Sequence, residues 1–346
     1  MNLYDIESYN YPIPPELIAQ TPLRRRDDSR LMRVFRSGER PEHRLFSHIS
    51  SLIREGDLFV MNDTRVFRAR ILGRKIPGGA AAEIFFLSPA GNASDWVALV
   101  RPGRRLPPGS LVKTEDGGTI CVGKRLNDGR RLVSIPEGIN PDVLFERCGQ
   151  IPLPPYIKNT EIPEERYQTV YADRTKKRSV AAPTAGLHFT PELMEELKRR
   201  GADIEFLTLD VGIGTFRPVK TNNIEEHKMH SERCEIIKRC ADSINRAKSQ
   251  GRRIVAVGTT VVRALESFAG EDGVISPGGR ETDIFIKPGY RFKIPDAIIT
   301  NFHLPQSTLL MLAASFAGYE NIMNAYAEAI RFRYRFFSFG DAMLIE

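Results

Sequence analysis

The sequence is poor in the residues that would mark a stapled, metal-bound or membrane-embedded protein. Its 346 residues hold four cysteines, at 121, 148, 234 and 240, and no two are spaced C-x-x-C. That argues against a cysteine zinc site and for a reducing, cytoplasmic setting. The opening Met1-Asn2-Leu3-Tyr4-Asp5 leads into no apolar stretch of the kind that directs secretion. The longest apolar run, residues 309–317, is far shorter than the ~20 residues that span a bilayer, so no membrane segment is expected. Neither G-x-x-x-x-G-K-[ST] nor G-x-S-x-G occurs, which removes the P-loop and α/β-hydrolase readings. His227 and His230 in "EEHKMHSE" have H-x-x-H spacing, but no cysteine or carboxylate set completes it, and no metal is expected. If "MHSER" is extended, His230 and Glu232 share a face as a polar pair.

What is present is an ordinary globular composition, 41% hydrophobic and 27% charged, in a chain long enough for two domains. The net charge of +7 favours an acidic partner such as RNA, and it is regional. Residues 66–150 hold 13 Lys and Arg against 8 Asp and Glu, a surplus of five. The same segment reads as short β runs, "VFRARILG", "AAEIFFLSP", "DWVALVRPG", "GSLVK", "GTICVG" and "RRLVSIP", separated by Gly and Pro turns. It is expected to be an inserted antiparallel barrel or sandwich, with the proline-rich 152–156 as its rigid exit. The flanking residues 1–65 and 151–346 alternate strands and helices, predicting an α/β main domain.

Four turns in that domain share a design, a strand running into a polar or glycine-containing loop: "VMNDTRV", "LDVGIGTFRPV", "AVGTTVVR" and "TNFHLPQST". Such loops at strand ends are where α/β proteins bind ligands. In "VGTT" the helix start is either a plain cap or an anion seat, with Arg263 one turn further on. "GIGT" lacks the third glycine of a dinucleotide fingerprint. A fifth stretch, "APTAGLHFTPELMEELKRRGAD", predicts a helix capped by Thr190, started by Pro191 and stopped by Gly201, with His188 placed just before it. His188 and His303, each either a buried hydrogen-bonded ring or a proton carrier, are expected to face one cleft. In "IRFRYRFFSFGD" an extended backbone would put Arg331, Arg333 and Arg335 on one face and the aromatics on the other.

These turns, with "YQTVYA", "SVAAPTAGLHFT", "MHSE", "TDIFIKPGYRF" and "YRFFSFGDAMLI", resemble in order the motifs of the S-adenosylmethionine:tRNA ribosyltransferase-isomerases of queuosine biosynthesis. The resemblance covers nearly the whole chain. It implies an α/β domain bearing an inserted β-barrel, and an enzyme that transfers and isomerises the ribosyl part of S-adenosylmethionine. The acceptor would be 7-aminomethyl-7-deazaguanine at the tRNA wobble position, and the products epoxyqueuosine-tRNA, adenine and methionine. S-adenosylmethionine would be a co-substrate with no permanently bound cofactor, and tRNA the partner of a monomer. Two positions depart from the family's pattern: Asp210 stands where histidine is common, which speaks against an essential proton carrier there, and Arg178 stands where glycine is common.

On that resemblance His188 and His303 are the expected acid and base. S-adenosylmethionine is expected to meet Asn62, Asp63, Thr64 and Arg65, Thr184 and Gly186, Gly212, Gly214, Thr215 and Phe216, and Gly258, Thr259, Thr260 and Arg263. RNA phosphates would meet Arg101, Arg104 and Arg105 in the basic β segment and Arg331, Arg333 and Arg335 near the C-terminus. The rival readings are a non-catalytic RNA-binding module, which leaves the polar strand-end turns without a task, and an S-adenosylmethionine methyltransferase, whose Gly-rich first turn is missing.

Overall fold

The computed structural model describes every residue except 1, 160, 213, 215–218 and 220, and the side chain of residue 93. The chain divides into two units, Met1–Arg65 with Pro154–Lys176 and Ala182–Glu346, and Val66–Leu153 with Lys177–Ala181. Beside the division expected at residues 66–150, the second unit takes in the short return Lys177–Ala181, whose pairing partners lie far away in sequence and leave no local signal.

The first unit is built on a nine-stranded mixed sheet. From one edge its strands are Gly278–Thr282, Glu232–Ile236, Asp203–Leu209, Leu58–Asn62, Ile254–Val257, Ala297–Asn301, Ala342–Ile345, Arg30–Val34 and Glu42–Leu45. Four neighbours, Asp203–Leu209, Leu58–Asn62, Ile254–Val257 and Ala297–Asn301, run parallel. The last three are buried along their whole length. That is why they read as unbroken apolar runs rather than as alternating ones. Being parallel, the four strands deliver their following turns to the same end of the sheet, so residues 63, 210, 258 and 302 emerge together.

The helices are specified locally. Pro191–Arg199 starts where Thr190 Oγ1 accepts the Leu193 amide at 3.1 Å and stops at Gly201, whose φ of +87° suits a residue without Cβ. Its Leu193 and Leu197 pack with Phe46, Phe59 and Phe189 in the core under the sheet. Thr308–Ala317, capped by Ser307, is buried nearly all round. Gly318, at φ +91°, then turns the chain into Tyr319–Arg331.

The second unit is a closed six-stranded antiparallel barrel. Arg70–Ile76, Ala81–Ala90, Asn92–Arg101, Arg131–Ser134, Thr119–Arg125 and Ser110–Thr114 pair in that order, and the last returns to the first. Alternate residues point inward, as in Ser110–Thr114, where positions 110, 112 and 114 are buried and 111 and 113 exposed. A helix, Pro141–Cys148, was not expected here, although Asn140 as its cap and Pro141 as its first residue were a legible start signal. Its Phe145 packs edge-on against Trp96 at 5.0 Å.

The stretch around residues 330–341 corrects the extended reading. The helix continues to Arg331, and Arg333 has φ +54°, so the arginines do not share a face. Arg331 and Arg333 are exposed, whereas Arg335 is half-buried and donates to the Thr21 carbonyl. Phe332 is exposed and Tyr334 and Phe336 are buried, so the aromatics do not share one either.

Candidate active site

Where the parallel strands end, a cleft opens in the first unit. Its floor is Gly258, Thr259 and Thr260 after one strand and Thr300, Asn301, Phe302 and His303 at the end of the next. Thr184 and Ala185, Tyr156, and Phe337 with Ser338 form the walls. Gly258 has φ +98°, a conformation that favours glycine, and a Cβ there would meet only ordinary contacts at 3.5–3.6 Å. With glycine in that place no side chain among the described residues caps the helix Thr259–Phe268, and its first two residues, Thr259 and Thr260, line the cleft.

His303 is fixed by three hydrogen bonds. Its backbone N–H donates to the Tyr326 hydroxyl at 2.8 Å, Tyr11 donates to its carbonyl, and its Nε2 lies 2.7 Å from Thr300 Oγ1. Burial pushes its pKa down to about 3, so the ring is neutral. It lines the cleft with Nδ1 unspent among the described residues.

His188 does not share that cleft, which corrects the expectation of two histidines facing one space. It is buried, stacked on Phe46 at 4.9 Å, with Nδ1 2.7 Å from Ser29 Oγ and Nε2 3.2 Å from Asn301 Nδ2. Burial holds its pKa near 3 as well, with Arg26 and Arg335 adding repulsion of a second positive charge. It lines a smaller hollow with Arg26, Arg166 and Ser338. Both guanidiniums there donate to backbone carbonyls, Arg26 to Leu187 and Glu165 and Arg166 to Leu23 and Arg24.

The remaining expected residues divide sharply. Thr184, Gly258, Thr259 and Thr260 line the cleft. Asn62 does not: its amide donates to the Leu209 carbonyl at 2.9 Å and accepts from the Leu209 and Thr64 amides, acting as an extra rung between two strands. Asp63 is held by Lys176 at 2.6 Å and Thr208 at 2.8 Å, and Thr64 reaches Asp210 at 3.4 Å. Arg65 is half-buried, its amide bonded to the Lys176 carbonyl. Arg263, expected at a carboxylate, instead forms a buried ion pair with Glu232, which also accepts the Gly212 amide at 2.7 Å. Glu232 is buried and His230 exposed. Gly186 is small because a Cβ would meet the Tyr171 hydroxyl at 2.0 Å, and Gly214 because one would meet the His230 ring at 2.7 Å. Thr215 and Phe216 lie outside the described residues.

Sequence reasoning missed Tyr156, Asn301 and Ser338. Asn301 was the most findable, since it precedes His303 at the same strand end. Two buried polar atoms of the cleft residues have no hydrogen-bond partner among the described residues, Thr260 Oγ1 and Asn301 Oδ1. Other buried side-chain atoms, among them Tyr167 Oη, Tyr171 Oη and Arg263 Nη2, also lack such a partner, so what distinguishes Thr260 and Asn301 is that they line the cleft, where a ligand can complete them.

The model of the queuosine biosynthesis protein family matches residues 6–345. This chain belongs to the queuosine biosynthesis family. It is 49% identical to the S-adenosylmethionine:tRNA ribosyltransferase-isomerase of Natranaerobius thermophilus, over 99% of each chain. It is 50% identical to the enzyme of the same name from Heliobacterium modesticaldum, again over 99% of each. The crystal structure of S-adenosylmethionine tRNA ribosyltransferase from Thermotoga maritima matches with a TM-score of 0.56 and 37% identity, covering 98% of this chain and 100% of that one. Among the described residues no helix is long and apolar enough to cross a membrane.

Proposed function

We propose that this member of the family transfers and isomerises the ribosyl moiety of S-adenosylmethionine onto the aminomethyl group of 7-aminomethyl-7-deazaguanine at the tRNA wobble position. Epoxyqueuosine-tRNA forms, and adenine and methionine leave. The chain is an enzyme rather than a passive RNA-binding module, and the observation that carries the reading is the cleft at the parallel strand ends. It combines an uncapped helix start, a rigidly held neutral histidine and two buried polar atoms without partners. A module that only gripped RNA would have no use for a deep cleft so equipped.

In this reading the methionyl carboxylate sits at the Thr259 and Thr260 amides, where the helix dipole favours negative charge. His303 takes the proton next to the sulfonium, its neutral ring being the form able to accept one. Arg263, paired with Glu232 and absent from the cleft lining, is withdrawn from the carboxylate, and His188, absent from it too, from direct proton transfer. Arg101, Arg104 and Arg105 of the barrel unit are exposed and grip RNA phosphates, with Arg331 and Arg333 as separate contacts. The enzyme works as a cytoplasmic monomer with no resident cofactor. Incubation with precursor-bearing tRNA and S-adenosylmethionine, read by mass spectrometry, tests this: epoxyqueuosine and free adenine are expected, and methylated or unchanged RNA would overturn it.

A further inference from the structure

The hydrogen-bond directions around Asn301 can be solved from one fixed point. The Phe337 carbonyl only accepts, so the amide atom 3.1 Å from it is the donor, Nδ2. The second Nδ2 proton goes to His188 Nε2 at 3.2 Å, which makes Nε2 a bare acceptor and puts the ring proton on Nδ1. Nδ1–H then donates to Ser29 Oγ at 2.7 Å, and Ser29 passes its own proton to the Arg26 carbonyl at 3.3 Å. Every group from Arg26 to Phe337 is thereby assigned, with His188 neutral as its burial requires.

One atom is left over. With Nδ2 committed to His188 and Phe337, Oδ1 is the atom Asn301 has left, buried beside the cleft this residue lines and without a partner among the described residues. Being acceptor-only, it is completed by an N–H or O–H of a ligand. The paired register of Val257 with Ile299 sets the Gly258–Thr260 turn and Asn301 on adjacent strands, spaced about 5 Å. An anion-favouring helix start therefore lies next to a naked acceptor, with Thr260 Oγ1 also unpartnered between cleft and helix. Anion seat and acceptor together complement a zwitterionic α-amino acid.

We propose that this end of the cleft is an α-amino-acid seat in which Asn301 Oδ1 receives the ammonium while the Thr259 and Thr260 amides receive the carboxylate, and that His188 is the positioning residue that holds the Asn301 amide this way round. The inference rests on the reading that S-adenosylmethionine is the co-substrate, whose methionyl end is the amino acid. Without the His188 acceptor the amide loses one of the two bonds that set its orientation. The histidine in front of the Pro191–Arg199 helix thus acts on the cleft without entering it.

Three analogues of S-adenosylmethionine test the seat, one lacking the α-amine, one lacking the carboxylate and one lacking the adenine 6-amino group, each compared by calorimetric binding. The native protein is expected to prefer S-adenosylmethionine over the desamino analogue by about 10²-fold or more, since a site built for a donor rejects its absence. Asn301→Ala should shrink that ratio to about tenfold or less and leave the preference over the decarboxylated analogue unchanged. His188→Phe, which keeps the stacking on Phe46, should weaken the desamino discrimination partly, and His188→Gln, which can offer an acceptor, should restore some of it. Equal binding of S-adenosylmethionine and the desamino analogue by the native protein would overturn the seat without any variant. So would an Asn301 effect confined to the analogue lacking the 6-amino group, which would assign Oδ1 to adenine. Failure of the native protein to bind S-adenosylmethionine at all would instead sink the functional reading beneath it.

Discussion

The turn at residues 62–65 and the paired turns at 258–260 and 300–303 look alike in sequence, each a buried strand running into polar residues, yet they spend those residues in opposite ways. Asn62, Asp63 and Thr64 turn their side chains inward, onto Leu209, Lys176, Thr208 and Asp210. Thr260 and Asn301 each keep a buried polar atom unpaired, and His303 bonds through one ring nitrogen only. A polar strand-end turn is therefore scaffold or site according to whether its hydrogen bonds are already consumed. The distinction is energetic: consumed bonds stabilise the fold, and withheld ones are available to a ligand.

The largest expected effect strikes the unspent side. His303→Ala should cut adenine release in the presence of tRNA by about 10²–10⁴-fold while the far-ultraviolet spectrum stays native, and full turnover would remove it from proton transfer. On the consumed side, Asn62→Ala strands the Leu209 amide and carbonyl and should cost about 3 kcal/mol in urea unfolding. Its KM for S-adenosylmethionine should stay unchanged at temperatures where it is folded. A raised KM with native stability would collapse the contrast between the two turns.

A pH series tests both histidines at once. Their pKa values are pushed down to about 3 in the folded chain, below the ~6.5 of an exposed ring, so the unfolded chain binds protons that the folded one refuses. The stability they contribute is complete above about pH 6.5 and is lost as pH falls toward 3, at about 1.4 kcal/mol per pH unit for each ring. Urea unfolding at about pH 5.5 should therefore show roughly 2–3 kcal/mol less stability than at about pH 7.5, and His188→Gln should halve that difference.

Thr260→Val gives the sharpest contrast of sign. Removing an unpaired buried hydroxyl should stabilise the free protein by about 0.5–1 kcal/mol in thermal melting, while co-substrate affinity falls about tenfold. Loss of both stability and affinity would show that the hydroxyl is already satisfied. The smallest effect belongs to the barrel: each of Arg101→Gln, Arg104→Gln and Arg105→Gln should lower the slope of log tRNA affinity against log salt by about one, with the S-adenosylmethionine KM unmoved.

Legibility followed the range of the interactions. The six barrel strands were readable because neighbours in sequence mostly pair in space and alternate inward and outward, as at Ser110–Thr114. The Thr190 cap and the Gly201 stop were readable for the same reason. The Arg331–Phe336 stretch was misread because alternation of Arg and aromatic residues fits a strand, whereas the helix from Tyr319 carries through Arg331. The ion pair of Arg263 was not legible because its partner Glu232 lies 31 residues away, on a strand rather than on its own helix, and nothing local reveals a buried counter-ion.

The sequence by itself determined the class of the two units, the positions of the polar strand-end turns and the pairing of motifs that places the chain in its family, since each depends on local patterning and residue identity. Tertiary structure alone decided which turn keeps buried polar atoms unpaired among the described residues. His188 and Ser29 are separated by 159 residues and His188 and Asn301 by 113, yet together they fix the direction of one amide. Whether a polar atom is spent or left for a ligand depends on what the fold brings within about 3 Å of it, and that is set by packing between distant segments rather than by the residue's own neighbours.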